Sequence, residues 1–488
     1  MSNTTPRDTG NPMNIEIDTR PLPIVILSRW WRFPVYLLLG WILYHSYFTP
    51  PPSGLSVEGF RSLVVFLICL ILWVFHLLPL AITGLFALVA PPLMGVLSAK
   101  QAFSFFGSEP VFFILGVLIL AAALLKSGLS SRIALFLLRQ SGHSPKRLIF
   151  QILLTASLLS FIMSEHAVAA MMLPLVVVIS KALEFVPKGG SYGRLLFLAM
   201  AWGCVVGGIA TMLGGGRVPL AVGIMQEAGH TPITFIEWTL TVIPIVILLF
   251  FSAYLVLTRF FKIDVESVYE ADRIISERVR ELGRIRLEEQ FLLVLTMGAI
   301  LAWIFWGTKI GMATISILVV VLLFMFKVVD WKALEENVEW GIVLMYGGAI
   351  GLSSIVSSTG ASRWLVETYV IPHITSPWML IGLIAILTMV LTEAVSNSAV
   401  VAMLLPISLS FAGSFHLDPK VIVCLIASAS GLNYTLPMST PAIALAYSSR
   451  YLRVKEVVLA GLAMTSLSWI FLMLTAKFWW PILGIQIP

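Results

Sequence analysis

Residues 164–174 read SEHAVAAMMLP, and residues 396–406 read SNSAVVAMLLP. At a constant offset of 232 (396 − 164), seven of the eleven positions are identical: Ser, Ala, Val, Ala, Met, Leu and Pro. Apolar composition alone produces chance matches, so the flanks decide whether this is a repeat. An apolar run from Val111 closes at Gly128 with Arg132 just beyond, and one from Gly341 closes at Gly360 with Arg363 just beyond. A motif recurring together with the span before it marks an internal duplication.

Composition says what kind of unit is duplicated. Of 488 residues, 59% are hydrophobic and 11% are charged, whereas a soluble domain carries roughly a quarter charged. No soluble core of this length hides so much apolar surface, so the solvent is lipid. The net charge of +6 is small and reads as loop asymmetry, with no call for a nucleic-acid partner. Cys69, Cys204 and Cys424 all lie in apolar segments, which gives neither a disulfide framework nor zinc spacing. About 28 largely polar residues precede the first apolar run, unlike a cleaved signal peptide. Arg29 and Arg32 beside that run suggest an uncleaved anchor.

A bilayer core needs about 20 apolar residues per helix. Such runs fall at 33–49, 60–78, 80–96, 111–125, 196–225, 233–257, 290–307, 309–326, 340–357, 420–445 and 457–478. Paired shorter arms, 149–163 with 167–182 and 377–392 with 399–412, meet near Ser164 and Ser396. They read as re-entrant hairpins. The stretch 259–289, with seven Lys/Arg and eight Asp/Glu, reads as a solvated amphipathic connector.

Loop charge orients the halves. Residues 126–147 carry Lys126, Arg132, Arg139, Lys146 and Arg147, while residues 359–376 carry only Arg363. By the positive-inside rule the first loop is cytoplasmic and the second external. Five of the spans separate the two hairpins, an odd number, so the second hairpin enters from the opposite face. The expected fold is an all-α polytopic membrane protein, with about 11 transmembrane helices plus two re-entrant hairpins in two inverted repeats. Many secondary transporters place a midplane site in this architecture. The expected segments are a cytoplasmic tail (1–28), scaffold helices (29–106), a first repeat (107–230) with hairpin 149–182, and scaffold helices (231–336) with the connector. A second repeat (337–450) with hairpin 377–412 and a C-terminal helix (451–488) follow. The N-terminus is expected inside and the C-terminus outside, in a bacterial inner membrane.

A hairpin tip at membrane depth leaves backbone groups unpaired, which is tolerated only inside protein or beside a watery cavity. The arm after each tip opens a helix, whose N-terminal N–H groups and dipole favour an anion. Ser164 and Ser396 add hydroxyls there, or serve only as N-caps. Asn397 and backbone carbonyls suit a small hard cation. Glu165, His166 and Glu393 flank the tips, and ionisable groups at such depth face a cavity or a partner. Glu165 with His166 reads either as a proton-binding pair or as a polar clamp, and Glu393 as a clamp. After each hairpin comes a broken helix: residues 207–219 read GGIATMLGGGRVP and residues 433–443 read NYTLPMSTPAI. Arg217, directly after Gly216, reads as an anion-binding cation or as a snorkelling or ion-paired side chain. In the first case Arg217→Ala is expected to weaken anion binding.

Together these residues resemble the divalent anion/sodium symporter family over about residues 30–488. Thr392-Glu393 and Ser396-Asn397-Ser398 look like the family's Thr-Glu and its Ser-Asn-Thr hairpin motif. Leu436-Pro437 and Thr440-Pro441 look like its second break; Gly207, Gly208, Thr211 and Gly214 match the first. The resemblance implies substrate contacts from Ser164, Ser396, Asn397, Ser398, Thr440 and Pro441, to which the reading of the residues themselves adds Glu165, His166 and Arg217. It implies coupling-ion contacts from Ser164, Gly208, Thr211, Gly214, Ser396, Asn397 and Ser439, with Glu165 and His166 again added from the residues themselves. It also implies a homodimer in which a transport domain moves as an elevator against a rigid scaffold. The first motif departs from the pattern. It reads Ser164-Glu165-His166, and Gly215-Gly216-Arg217-Val218 stands where the family has Thr-Pro-Pro-Asn. After Pro441, Ala442 replaces a second proline.

The expected function is secondary active transport of a divalent or multivalent anion, such as a dicarboxylate or sulfate, coupled to sodium or to a proton. No cofactor or transition metal is expected. The alternatives are a proton-driven exchanger or efflux permease, a channel with flux above transporter turnover, and a membrane-embedded enzyme. An enzyme would need a nucleophile–base–orienter set or a metal cluster, and one Glu-His pair falls short of that.

Overall fold

The computed structural model describes residues 32–185, 190–374 and 376–488. The expected tail at 1–28 and Arg29 lie outside these residues. The chain divides into two compact units at Pro50/Pro51, inside the segment expected to run from 29 to 106. The described part of the first unit is one helix, α1 (Arg32–Phe48). Among the described residues the rest is also helical, with no strand.

The second unit opens with α2 (Val57–Val74) and α3 (Leu80–Leu93), then a short helix (Ala99–Ser104) that leads into α4 (Glu109–Ser127). An amphipathic α5 (Leu129–Leu138) precedes the first hairpin, α6 (Pro145–Leu159) and α7 (Glu165–Ala182). The expected span 196–225 is two helices, α8 (Ser191–Gly208) and α9 (Arg217–Glu227). After α10 (Phe235–Phe260), the connector forms α11 (Tyr269–Glu281), with Ala271 and Ile275 buried. Arg132 donates to the carbonyls of Leu282 and Gly283 beyond its end, holding the connector against the first half. There follow α12 (Leu287–Ile310), α13 (Met312–Met325), a short helix (Trp331–Asn337), α14 (Trp340–Ser358) and α15 (Ala361–Tyr369). The second hairpin is α16 (Pro377–Thr392) and α17 (Asn397–Ser414). The expected span 420–445 is likewise split, into α18 (Pro419–Ala429) and α19 (Pro441–Ser448), before α20 (Val454–Phe478). Among the described residues, eight helices are long and apolar enough to cross a membrane, with shorter apolar helices beside them.

The duplication reaches further than the sequence motif. α3 and α13 both start and end 232 residues apart (312 − 80, 325 − 93), and so do α7 and α17 (397 − 165, 414 − 182). Gly128 and Gly360, with φ of 78° and 72°, end α4 and α14 in the left-handed region that glycine enters without strain. The 232-residue spacing thus extends to α3 and α13, helices in the segments expected as scaffold. The register loosens at α2 and α12, of 18 and 24 residues, and after the hairpins, where α8 has 18 residues and α18 has 11.

Helices in lipid gain little from apolar burial against one another, so small residues set their close approach. A Cβ on Gly348 of α14 would overlap the Gly84 carbonyl of α3. In the other half, a Cβ on Gly116 of α4 would lie 2.5 Å from Cβ of Ser316 on α13. These are one crossing built twice, since 316 − 84 and 348 − 116 both equal 232. Gly348→Ala is expected to cost about 1–3 kcal/mol by overpacking. Gly298→Ala on α12, where a Cβ meets nothing within 4 Å, is expected to be neutral or stabilising, since alanine favours helix by about 1 kcal/mol. Thermal unfolding of the detergent-purified protein separates the two.

Candidate functional site

Each hairpin turns on a serine in extended conformation. Ser164 has φ −62° and ψ 143°, and Ser396 has φ −61° and ψ 144°. Ser164 Oγ accepts from the Ala167 N–H at 3.3 Å, and Ser396 Oγ from the Ala399 N–H at 3.4 Å. Both are N-caps, and both also line one cavity of about 600 Å³. Its wall includes Glu165, His166, Arg217, Asn397, Ser398, Ser439, Thr440 and Pro441. The tips of the two halves, at opposite ends of the 232-residue repeat, thus meet at one place.

They meet through equivalent residues. Asn397 Nδ2 donates to Glu165 Oε1 at 3.1 Å across a separation of 232. Asn397 Oδ1 accepts from Thr392 Oγ1 at 2.8 Å and from Asn433 Nδ2 at 3.0 Å. Asn433 also donates to the carbonyls of Thr392 and Ser439, so three acceptors fix which end of its amide is nitrogen. This amide relay joins the hairpin to the break between α18 and α19. Glu393 completes the joint, its carboxylate accepting from the N–H groups of Tyr434, Thr435 and Leu436 at 3.1, 3.3 and 2.9 Å. It is the clamp read from the sequence.

The first half builds the same joint differently. Thr211 Oγ1 donates to the Phe161 carbonyl at 2.6 Å, and the Gly214 carbonyl accepts from the Glu165 N–H at 2.9 Å. A Cβ on Gly214 would lie 2.5 Å from the Gly208 carbonyl and 2.6 Å from that of Ser160. Gly208, Thr211 and Gly214 therefore stand together directly behind Glu165. Arg217 opens α9 and turns inward, its NH1 3.4 Å from Glu165 Oε1, with side-chain exposures of 1% and 8%. This is the ion-paired one of the two readings of Arg217. It reaches the cavity wall, but its charge faces a carboxylate.

For Glu165 with His166, read either as a proton-binding pair or as a polar clamp, the structure shows no hydrogen bond or ion pair directly between the two side chains. Neighbouring residues on a helix point about 100° apart and do not face each other. His166 turns outward, 45% exposed, with Nε2 3.7 Å from Glu339 Oε1. Ser439 and Thr440 are buried, and Thr440 Oγ1 caps α19 by accepting from the Ile443 N–H at 3.1 Å. Asn433, Thr392 and Glu339 were not singled out from the sequence as ligands. An asparagine within an otherwise apolar span was the available signal for the first.

The fold and the site define a polytopic membrane transport protein with duplicated hairpins, not an enzyme. The chain belongs to the family described as "Sodium:sulfate symporter transmembrane region", whose model matches residues 27–486. It is 26% identical over 463 residues to a sodium-dependent dicarboxylate transporter, SdcS, of Staphylococcus saprophyticus, covering 89% of each chain. It is 28% identical over 482 residues to SdcS of Staphylococcus aureus, covering 93% of this chain and 91% of that one. Among solved structures, the Alcanivorax borkumensis YdaH transporter matches with a TM-score of 0.56 at 14% identity, over 88% of this chain and 99% of that one. Neisseria gonorrhoeae MtrF matches with a TM-score of 0.55 at 15% identity, over 86% and 94%. At these identities the two structures speak for the fold alone.

Proposed function

We propose that this protein is a secondary active transporter that couples sodium to the movement of a divalent anion, a dicarboxylate in the first place, across a bacterial inner membrane. The supporting observation is the convergence of two capped helix N-termini, α7 and α17, on one cavity. Their dipole ends and the N–H groups not taken by the caps attract carboxylates, and Ser164, Ser396, Asn397, Ser398 and Thr440 give the cavity its polar groups, with Pro441 beside them. Its volume of about 600 Å³ is ordinary for a small-ligand site and leaves room for an anion larger than sulfate. The family and the SdcS relatives, described as sodium-dependent dicarboxylate transporters, agree with this substrate class.

In this reading the dicarboxylate lies between the two tips, with His166 at the mouth. Sodium is held by oxygens on the breaks and hairpins, with Asn397 and Ser439 in the second half, and Gly208, Thr211 and Gly214 frame the corresponding place in the first. The two repeats are inverted, the N-terminus is cytoplasmic, and the protein works as a homodimer whose hairpin-bearing parts move as an elevator. Uptake of labelled succinate, citrate, sulfate and phosphate into proteoliposomes, under separate sodium and proton gradients, tests the proposal. Saturable succinate uptake driven by sodium alone is expected. Uptake driven by a proton gradient and indifferent to sodium would replace sodium by a proton as the coupling ion.

A further inference from the structure

The two halves differ most where their chemistry should be most alike. Among the described residues of the second half, the buried side-chain polar atoms left without a partner are all oxygens, with Asn433 Oδ1 and Ser439 Oγ at the break. Orphan oxygens beside an irregular backbone suit a small hard cation. In the first half the unpartnered buried atoms near the tip are Ser160 Oγ, His166 Nδ1 and Glu165 Oε2, together with Arg217 Nε and NH2. A positive group is already installed there.

The chain is shaped around that group. A Cβ on Gly215 would lie 2.6 Å from Arg217 NH1, and one on Gly208 would lie 3.3 Å from NH2 and 2.7 Å from Glu165 Oε2. On the opposite side, a Cβ on Gly431 would overlap the guanidinium at Nε. Three glycines, from the end of α8 and from both breaks, thus form a collar that only the missing side chains leave open. The guanidinium fills it, 1% exposed. A carboxylate at this depth needs a positive partner, and a tethered one supplies it in every state of the protein.

We propose that Arg217 is a built-in counter-cation for Glu165, standing where the first half would otherwise take an exchangeable coupling ion. Only the second half then binds sodium that is released in each cycle. This rests on the sodium-coupled reading above and deepens it. It also gives the departure at Ser164-Glu165-His166 and Gly216-Arg217 a single cause, because the added acid and the added base are two parts of one substitution. The guanidinium keeps the tip neutral, and the substrate meets the helix N-termini and hydroxyls beside it.

The test is Arg217→Ser, which empties the collar and leaves Glu165 beside the exposed carbonyls. Thermal unfolding of purified protein is measured against sodium chloride and against choline chloride, with no anionic substrate present. Sodium is expected to raise the unfolding temperature of Arg217→Ser well above its effect on the wild type. Guanidinium chloride at low millimolar concentration is expected to stabilise the variant and not the wild type. In proteoliposomes, the sodium dependence of succinate uptake is expected to steepen, with a Hill coefficient higher by about one. Arg217→Lys, which keeps a tethered cation, is expected to retain the wild-type sodium dependence. If Arg217→Ser does not fold, Arg217→Gln carries the same measurements with a longer neutral side chain. An equal sodium response in the neutral variant and the wild type overturns the inference. Failure of the wild type to move succinate under a sodium gradient strikes the transport reading instead. The substrate-free unfolding measurements still decide on Arg217.

Discussion

Glu165→Ala is expected to destabilise the protein by roughly 3–5 kcal/mol, the cost of leaving a buried charge without its partner. The guanidinium of Arg217 is 1% exposed and its nearest acid is Glu165 at 3.4 Å. The variant also removes the acceptor of Asn397 Nδ2, so the amide relay between the halves loses one end. The double variant Glu165→Gln with Arg217→Gln removes both charges and keeps side chains of similar length. Replacing both members of a buried pair is often near neutral, so the double variant is expected to be more stable than Glu165→Ala alone. Thermal unfolding of Glu165→Gln, Arg217→Gln and their double variant forms the cycle that measures this coupling. If Glu165→Ala unfolds at the wild-type temperature, the two side chains are not bound to each other in the membrane protein.

The same pair shows where sequence reading reached and where it stopped. Ser164 and Ser396 were legible because an N-cap serine ahead of an apolar run is a local signal, and the structure gives both the same dihedral angles to within a degree. The broken helices were legible from Gly214-Gly215-Gly216 and from Pro437 with Pro441, since glycine and proline act on the backbone where they stand. Contacts between distant residues were not. Glu165 and Arg217 are 52 positions apart (217 − 165), and which of two neighbours, His166 or Arg217, faces the acid depends on how α7 is rotated and how the break folds back. The reach of the duplication was hidden for another reason. The crossing of α3 with α14 and of α4 with α13 needs only small residues, so Gly116 corresponds to Gly348 but Gly84 to Ser316, and geometry is kept between the halves where identity is kept only in part.

Asn397→Asp carries the larger consequence for transport. The exchange is isosteric and keeps the acceptor for Thr392 and Asn433, yet it replaces the donor that faces Glu165 Oε1 at 3.1 Å with a second carboxylate oxygen. Two carboxylates in contact do not both stay charged without a cation between them. Arg217 already serves one of them. The tip must then take up a proton or an additional cation; otherwise a negative charge stands where two helix N-termini were arranged for an anion. Loss of one hydrogen bond to a charged group amounts to about 1.5–3 kcal/mol, and repulsion of the substrate adds to it. At 1.4 kcal/mol per tenfold, succinate uptake under a fixed sodium gradient is expected to fall at least tenfold and on the order of a hundredfold. Asn397→Ala, which removes the amide without adding charge, is expected to lose less. The order of the two variants is the decisive comparison. Electrostatic control of the site predicts the aspartate to be worse, whereas a purely structural role for the amide predicts the alanine to be worse, since it leaves Thr392 and Asn433 without their acceptor.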